Sequence, residues 1–167
     1  MLYLCHLNHF LSPCTKMSCN IIIQDWNIKV AYFLTSIWPN IRVALTQIKF
    51  EALKNSDFES AYDAIFITKD NLREASDAEY ASIYKTSKIP FYFIGNEKSH
   101  VNFIKEDLSY EDEPDVKDGA YITGLLYIKD KVWGYGLYND NFNDVNIQAA
   151  YAKVFQDIAE IKNNELP

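Results

Sequence analysis

"YDAIFITKDNLREASDAEYASIYKTSKIPFYFIG", residues 62–95, decides the fold. It reads as strand, helix, strand. Asp63 to Thr68 is a short apolar run after an acid, bounded by polar groups, as a buried parallel strand requires. Ile89 to Gly95 is almost continuously apolar, which predicts cover on both faces of a sheet. Pro90 falls at its start, where a missing N–H is tolerated. Between the two runs, Leu72, Ala75, Tyr80, Ile83 and Tyr84 recur at helical spacing. Asp70, Asn71 and Ser76 suit helix N-caps. Asn71 with Glu74 and Ser76 with Glu79 both match a capping box, so an irregular first turn is expected before the main helix. Lys85 and Lys88 sit at its C-terminal end, where positive charge is favoured. The crossover is expected to be right-handed.

A β-α-β unit that binds a nucleotide carries glycines at its first turn, so that backbone N–H groups can approach a phosphate. Here that turn is Thr68-Lys69-Asp70-Asn71, with bulk at Lys69 and the wrong charge at Asp70. The chain contains neither GxGxxG nor GxxxxGK[ST]. Its only close glycine pair, Gly134 and Gly136, falls inside a strand-like run and reads as a bulge or a close backbone approach. A nucleotide hydrolase or a nicotinamide enzyme is therefore disfavoured.

Downstream, residues 106–118 hold seven acids, from Glu106 to Asp118, against one lysine, Lys117. That is nearly the whole formal net charge of −7. Pro114 and Gly119 mark the stretch as loop. It matches no EF-hand pattern and reads as solvated, or as a surface for a basic partner. Residues 120–140 show two strand-like runs around Lys129-Asp130-Lys131, a β-hairpin. Asp144 to Lys162 is a helix, with Ile147, Tyr151, Val154, Phe155, Ile158 and Ile161 on one stripe and Asn143 or Asp144 as cap.

Upstream, the first 50 residues carry only five of the 39 charged side chains, so this third is interior or partner-facing material. "NIIIQ" (20–24) reads as a short buried strand and residues 28–38 as strand or helix, ended by Pro39. Ile41, Leu45, Ile48 and Ala52 fall on one helical stripe, although "IRVALT" (41–46) reads equally as a strand. Residues 1–19 are expected to be a poorly specified tail before a single domain over 20–167. They lack the basic start of a signal peptide and are too short and polar to span a bilayer. Met17 offers a second start. The expected location is cytoplasmic, with no membrane partner.

Together these elements predict an α/β fold: a single-domain layered sandwich, with a central parallel β-α-β unit, an antiparallel hairpin edge and a C-terminal helix. At 167 residues the chain buries about 70% of its unfolded surface without staples. An acidic chain repels phosphate backbones, so nucleic acid is not an expected partner. All three cysteines precede residue 20, which leaves the body without a disulfide or a thiol nucleophile. Cys5, His6, His9, Cys14 and Cys19 are metal-ligand types at spacings that match no zinc pattern. No metal or other cofactor is expected.

Ligands of open α/β sheets bind beyond the carboxyl ends of the strands. That rule selects Thr68, Lys69 and Asp70 after the first strand, and Asn96, Glu97 and His100 after the second. The set offers donors, acceptors and an imidazole for a small polar ligand. The competing reading makes the same residues helix caps and a solvated turn. No GxSxG elbow or thiol accompanies His100, so no catalytic residue is assigned. Tyr121, Tyr127, Trp133 and Tyr135 on the hairpin, with Glu111, Asp112 and Glu113, form a second candidate surface, for an unknown protein partner. Three functions follow as expectations. The first is a non-enzymatic protein-interaction module. The second is a small-molecule-binding domain or enzyme using the strand-end loops. The third is a degenerate fragment of a larger α/β protein.

Overall fold

Two strands, β5 (Ala64–Ile67) and β6 (Phe91–Ile94), lie side by side in the same direction, with Ile65 opposite Phe91 and Ile67 opposite Phe93. Every residue of both is buried. The structure is a computed structural model. It describes residues 2–5, 17–19, 41–43, 45–54, 58–116 and 120–163, with side chains described at 46, 48–54, 58–116 and 120–163. The other strands are β1 (Leu2–Cys5), β2 (Met17–Cys19), β3 (Ile41–Val43), β4 (Leu45–Ile48), β7 (Ala120–Leu126) and β8 (Lys131–Gly136). Six strands form one mixed sheet in the order β4-β1-β5-β6-β7-β8, while β2 and β3 pair separately in parallel. Only the β5–β6 pair of the large sheet is parallel; the hairpin β7–β8 closes one side antiparallel. This is the expected α/β architecture.

The stretch read as a tail supplies two strands. Leu2–Cys5 lies between β4 and β5, antiparallel to both. The helical stripe over 41–53 is not found. Those residues form β3 and β4 and then a 3₁₀ turn, Phe50–Lys54, in line with the β-branched "IRVALT". Residues 20–24 and 28–38 lie outside the described residues, as do His6, His9 and Cys14.

After β5 the chain makes a 3₁₀ turn (Lys69–Asn71), a short helix α2 (Leu72–Ala75) and the main helix α3 (Ala78–Thr86). A four-residue helix α1 (Phe58–Ala61) precedes β5. The irregular first turn is present, but its capping is not as expected. Asp77 occupies the N-cap of α3 without a side-chain cap bond, and the Ser76 hydroxyl donates instead to the Arg73 carbonyl at 2.8 Å. The C-terminal helix α4 (Asp144–Lys162) is capped by Asn143, whose side-chain oxygen accepts from the Asn146 N–H at 3.0 Å.

Strand alternation sorts the aromatic residues into two layers. Phe91 and Phe93 face α3, where Tyr84 meets their rings edge-on at 4.8 and 5.6 Å. Phe103 stacks on Phe93 at 3.7 Å. On the opposite face Phe66 and Tyr92 stack at 5.0 Å beneath Tyr151 and Phe155 of α4. Two of the buried hydroxyls find partners: Tyr84 donates to the Ala75 carbonyl at 2.8 Å, and Tyr135 donates to Asp157. Each such buried ring contributes roughly 1.5–3 kcal/mol, against about 0–1 kcal/mol for an exposed ion pair such as Lys54–Glu79. The two aromatic layers, not surface charge, hold the sheet.

The β7–β8 ladder carries a bulge. Ala120 pairs with Gly136 and Ile122 with Tyr135, leaving Tyr121 as the extra residue. The expected irregularity at Gly134–Gly136 therefore falls on the opposing strand. The hairpin turns through Tyr127–Asp130, with Asp130 left-handed at φ 52°.

Candidate functional site

Because β5 and β6 are parallel neighbours, the loops that follow them share one rim. A cleft of about 690 Å³ opens there. Thr68, Lys69 and Asp70 line it from the first loop, and Gly95, Asn96 and Glu97 from the second. Ile94 and Tyr151, both buried, make its floor. Ala120, Tyr121, Leu137, Asp140 and Phe142 complete the wall. Its volume lies in the range of small-molecule sites, and an apolar floor under a polar rim is their usual composition.

Gly95 turns the chain at the rim with φ +67°. Its bare Cα lets the Lys69 stem lie across it: a Cβ there would be 3.3 Å from Lys69 Cβ and Cδ. Lys69 then reaches Glu97, Nζ to Oε1 2.5 Å. Asn96 is buried and bonded to its own loop. Its side chain donates to the Lys98 carbonyl at 2.7 Å and accepts from the Lys98 N–H and the Tyr110 hydroxyl. These bonds shape the loop. The Thr68 hydroxyl accepts from the Asn71 amide at 2.6 Å. The carboxylates of Asp70 and Asp140 are exposed and have no partner among the described residues. Burial pushes the Tyr121 hydroxyl up to about 12, so this group is uncharged at neutral pH.

Five of the six residues selected from the strand-end rule thus surround one cleft. His100 does not. It begins a 3₁₀ turn (His100–Phe103) and borders a separate hollow of about 140 Å³ with Lys98, Val132 and Gly134. Half-burial there lowers its pKa and favours the neutral imidazole. Leu137, Asp140, Phe142 and Tyr151 were not selected from the sequence. The available signal was the Asn- and Asp-rich run 139–144, which marks a turn between hairpin and helix but not its return toward the rim.

That turn is tightly built. Asn139 and Asp140 are both left-handed, at φ 51° and 53°. The Asn146 amide braces it by donating to the carbonyls of Tyr138 and Asn141 at 3.0 and 2.8 Å. Phe142 is held against Tyr121, ring centroids 5.6 Å apart and nearly perpendicular.

The second candidate surface is dispersed. Tyr135 is buried and bonded to Asp157, whose own carboxyl is raised by burial. Trp133 leans over Gly124, and Tyr121 belongs to the cleft. Tyr127 alone of the four is well exposed, at the hairpin turn. The acidic stretch is tied to the protein's own cations. Glu111 meets Arg73 at 2.7 Å, Asp115 meets Lys98 at 3.2 Å, and Asp112 accepts from the Ser109 hydroxyl. The Glu113 carbonyl accepts from Lys98 Nζ at 2.5 Å.

Among the described residues no three His, Cys, Asp or Glu side chains group to hold a metal ion, and no helix is long and apolar enough to cross a membrane. Comparison with family models, with curated proteins and with solved structures returns no match.

Proposed function

We propose that the protein is a small-molecule-binding domain whose ligand occupies the cleft beyond the carboxyl ends of β5 and β6. One observation carries this reading: six residues from two loops, 68–70 and 95–97, line a single hollow with a buried apolar floor. The place is where the topology of an open α/β sheet favours ligands. Thermal unfolding against a metabolite library tests it. Some compounds are expected to raise the midpoint and to shift the backbone resonances of 68–70 and 94–97. Leu137→Trp, which fills the cleft from its wall, is expected to keep the circular dichroism spectrum and lose both effects. Hits whose resonance shifts lie elsewhere would refute the reading.

A protein-interaction module draws support from a different feature. Tyr138 and Phe142 are 76% and 69% exposed on the braced turn beside the cleft, and Val145 is 71% exposed in the first turn of α4. Aromatic side chains held rigid on a surface are typical anchors for a partner. Tyr138→Ala with Val145→Ala separates the two readings, because it removes the two of these side chains that do not line the cleft.

A further inference from the structure

We infer that the cleft selects an organic cation with a flat apolar body, such as an arylalkyl amine; this rests on the small-molecule reading above. The rim charges are unequal. Lys69 is engaged by Glu97 at 2.5 Å, and the carboxylates of Asp70 and Asp140 remain. A positive head group at this rim gains attraction from both, and an anionic one is repelled.

Two backbone donors of the rim are already used. Anion sites use N–H groups that point, unpaired, into the pocket. Here the Gly95 N–H donates to the Tyr121 carbonyl at 2.7 Å, and the Asn71 N–H donates to the Thr68 carbonyl at 2.9 Å.

The wall supplies the rest. Tyr121 and Phe142 meet edge to face, and ring faces attract cations through their quadrupole. The floor of Ile94 and Tyr151 matches an apolar ring. The ligand's charge then sits at the acidic rim and its body over the floor.

Three indole probes of similar size test this, measured by calorimetry at low ionic strength: tryptamine, tryptophol and indole-3-propionate. The amine is expected to bind about tenfold tighter than the alcohol, from two screened carboxylates and one aromatic wall. The propionate is expected to bind weakest, and the amine's advantage shrinks with added salt. In Asp70→Asn/Asp140→Asn the amine and the alcohol are expected to bind alike. Asn adopts the left-handed conformation readily, so the Asp140 turn is preserved. If the alcohol binds as well as the amine, and Leu137→Trp abolishes both, the charge inference fails and the cleft reading stands. If none of the three probes shifts the resonances of 68–70 and 94–97, the inference is overturned together with the cleft as a site for such ligands. Equal affinity of the amine for the double variant also overturns it.

Discussion

Gly95 shows how much of the rim depends on a single backbone angle. At φ +67° an L-side chain is strained, and its Cβ would press on the Lys69 stem at 3.3 Å. Gly95→Ala is expected to lower stability by about 1–2 kcal/mol, read as a shift in urea midpoint. It should also displace Lys69 and loosen its ion pair with Glu97, seen as a change in the side-chain amine resonance. Reading the sequence locates Gly95 as a turn after a strand. The role of Asn96 was harder to see, because Asn accepts and donates equally well toward a ligand or toward its own loop. Only the coordinates show it bonded to Lys98 and Tyr110. His100 was selected by proximity in sequence, and the 3₁₀ turn from Ser99 onward carries it off the rim.

At the level of elements, the strands buried on both faces were legible, because continuous apolar runs of four or five residues between polar brackets have few other uses. The hairpin and α4 were legible for the same kind of reason. The capping of α3 was not, since overlapping Ser, Asp and Asn positions offer several equivalent caps and packing chooses among them. The glycines inside β7 and β8 also look alike in sequence but differ in the sheet. Gly124 sits beneath Tyr92 and Trp133, where a Cβ would meet Tyr92 Cε1 at 2.8 Å and Trp133 Cε3 at 3.1 Å. Gly134 faces only Ala120 Cβ, at 3.6 Å. Gly124→Ala is therefore expected to cost about 1–3 kcal/mol through core strain, and Gly134→Ala to leave the urea midpoint nearly unchanged. Equal losses at the two positions would contradict this assignment of faces.

Across the whole molecule, the charge-poor first third finds part of its explanation in the sheet order. Leu2–Cys5 covers the edge that β5 would otherwise present, and it holds β4 to the rest of the sheet. A chain begun at Met17 lacks that strand. It is expected to unfold at lower urea and to self-associate in light scattering, because a flat, apolar, unpaired edge recruits other strands. Matching behaviour of the 1–167 and 17–167 chains would remove the strand from the account. Reading composition alone could not have placed it, since an apolar tetrapeptide amid polar breaks carries no period long enough to name its partners. One feature of the hairpin reaches further. The extra residue in β7 is Tyr121 itself, so the ring that meets Phe142 is there only because of a count. A related chain one residue shorter between Ala120 and Ile122 would lose that ring and the cleft wall it makes while the rest of the hairpin stayed in register, so spacing here is a better guide to shared ligands than overall identity.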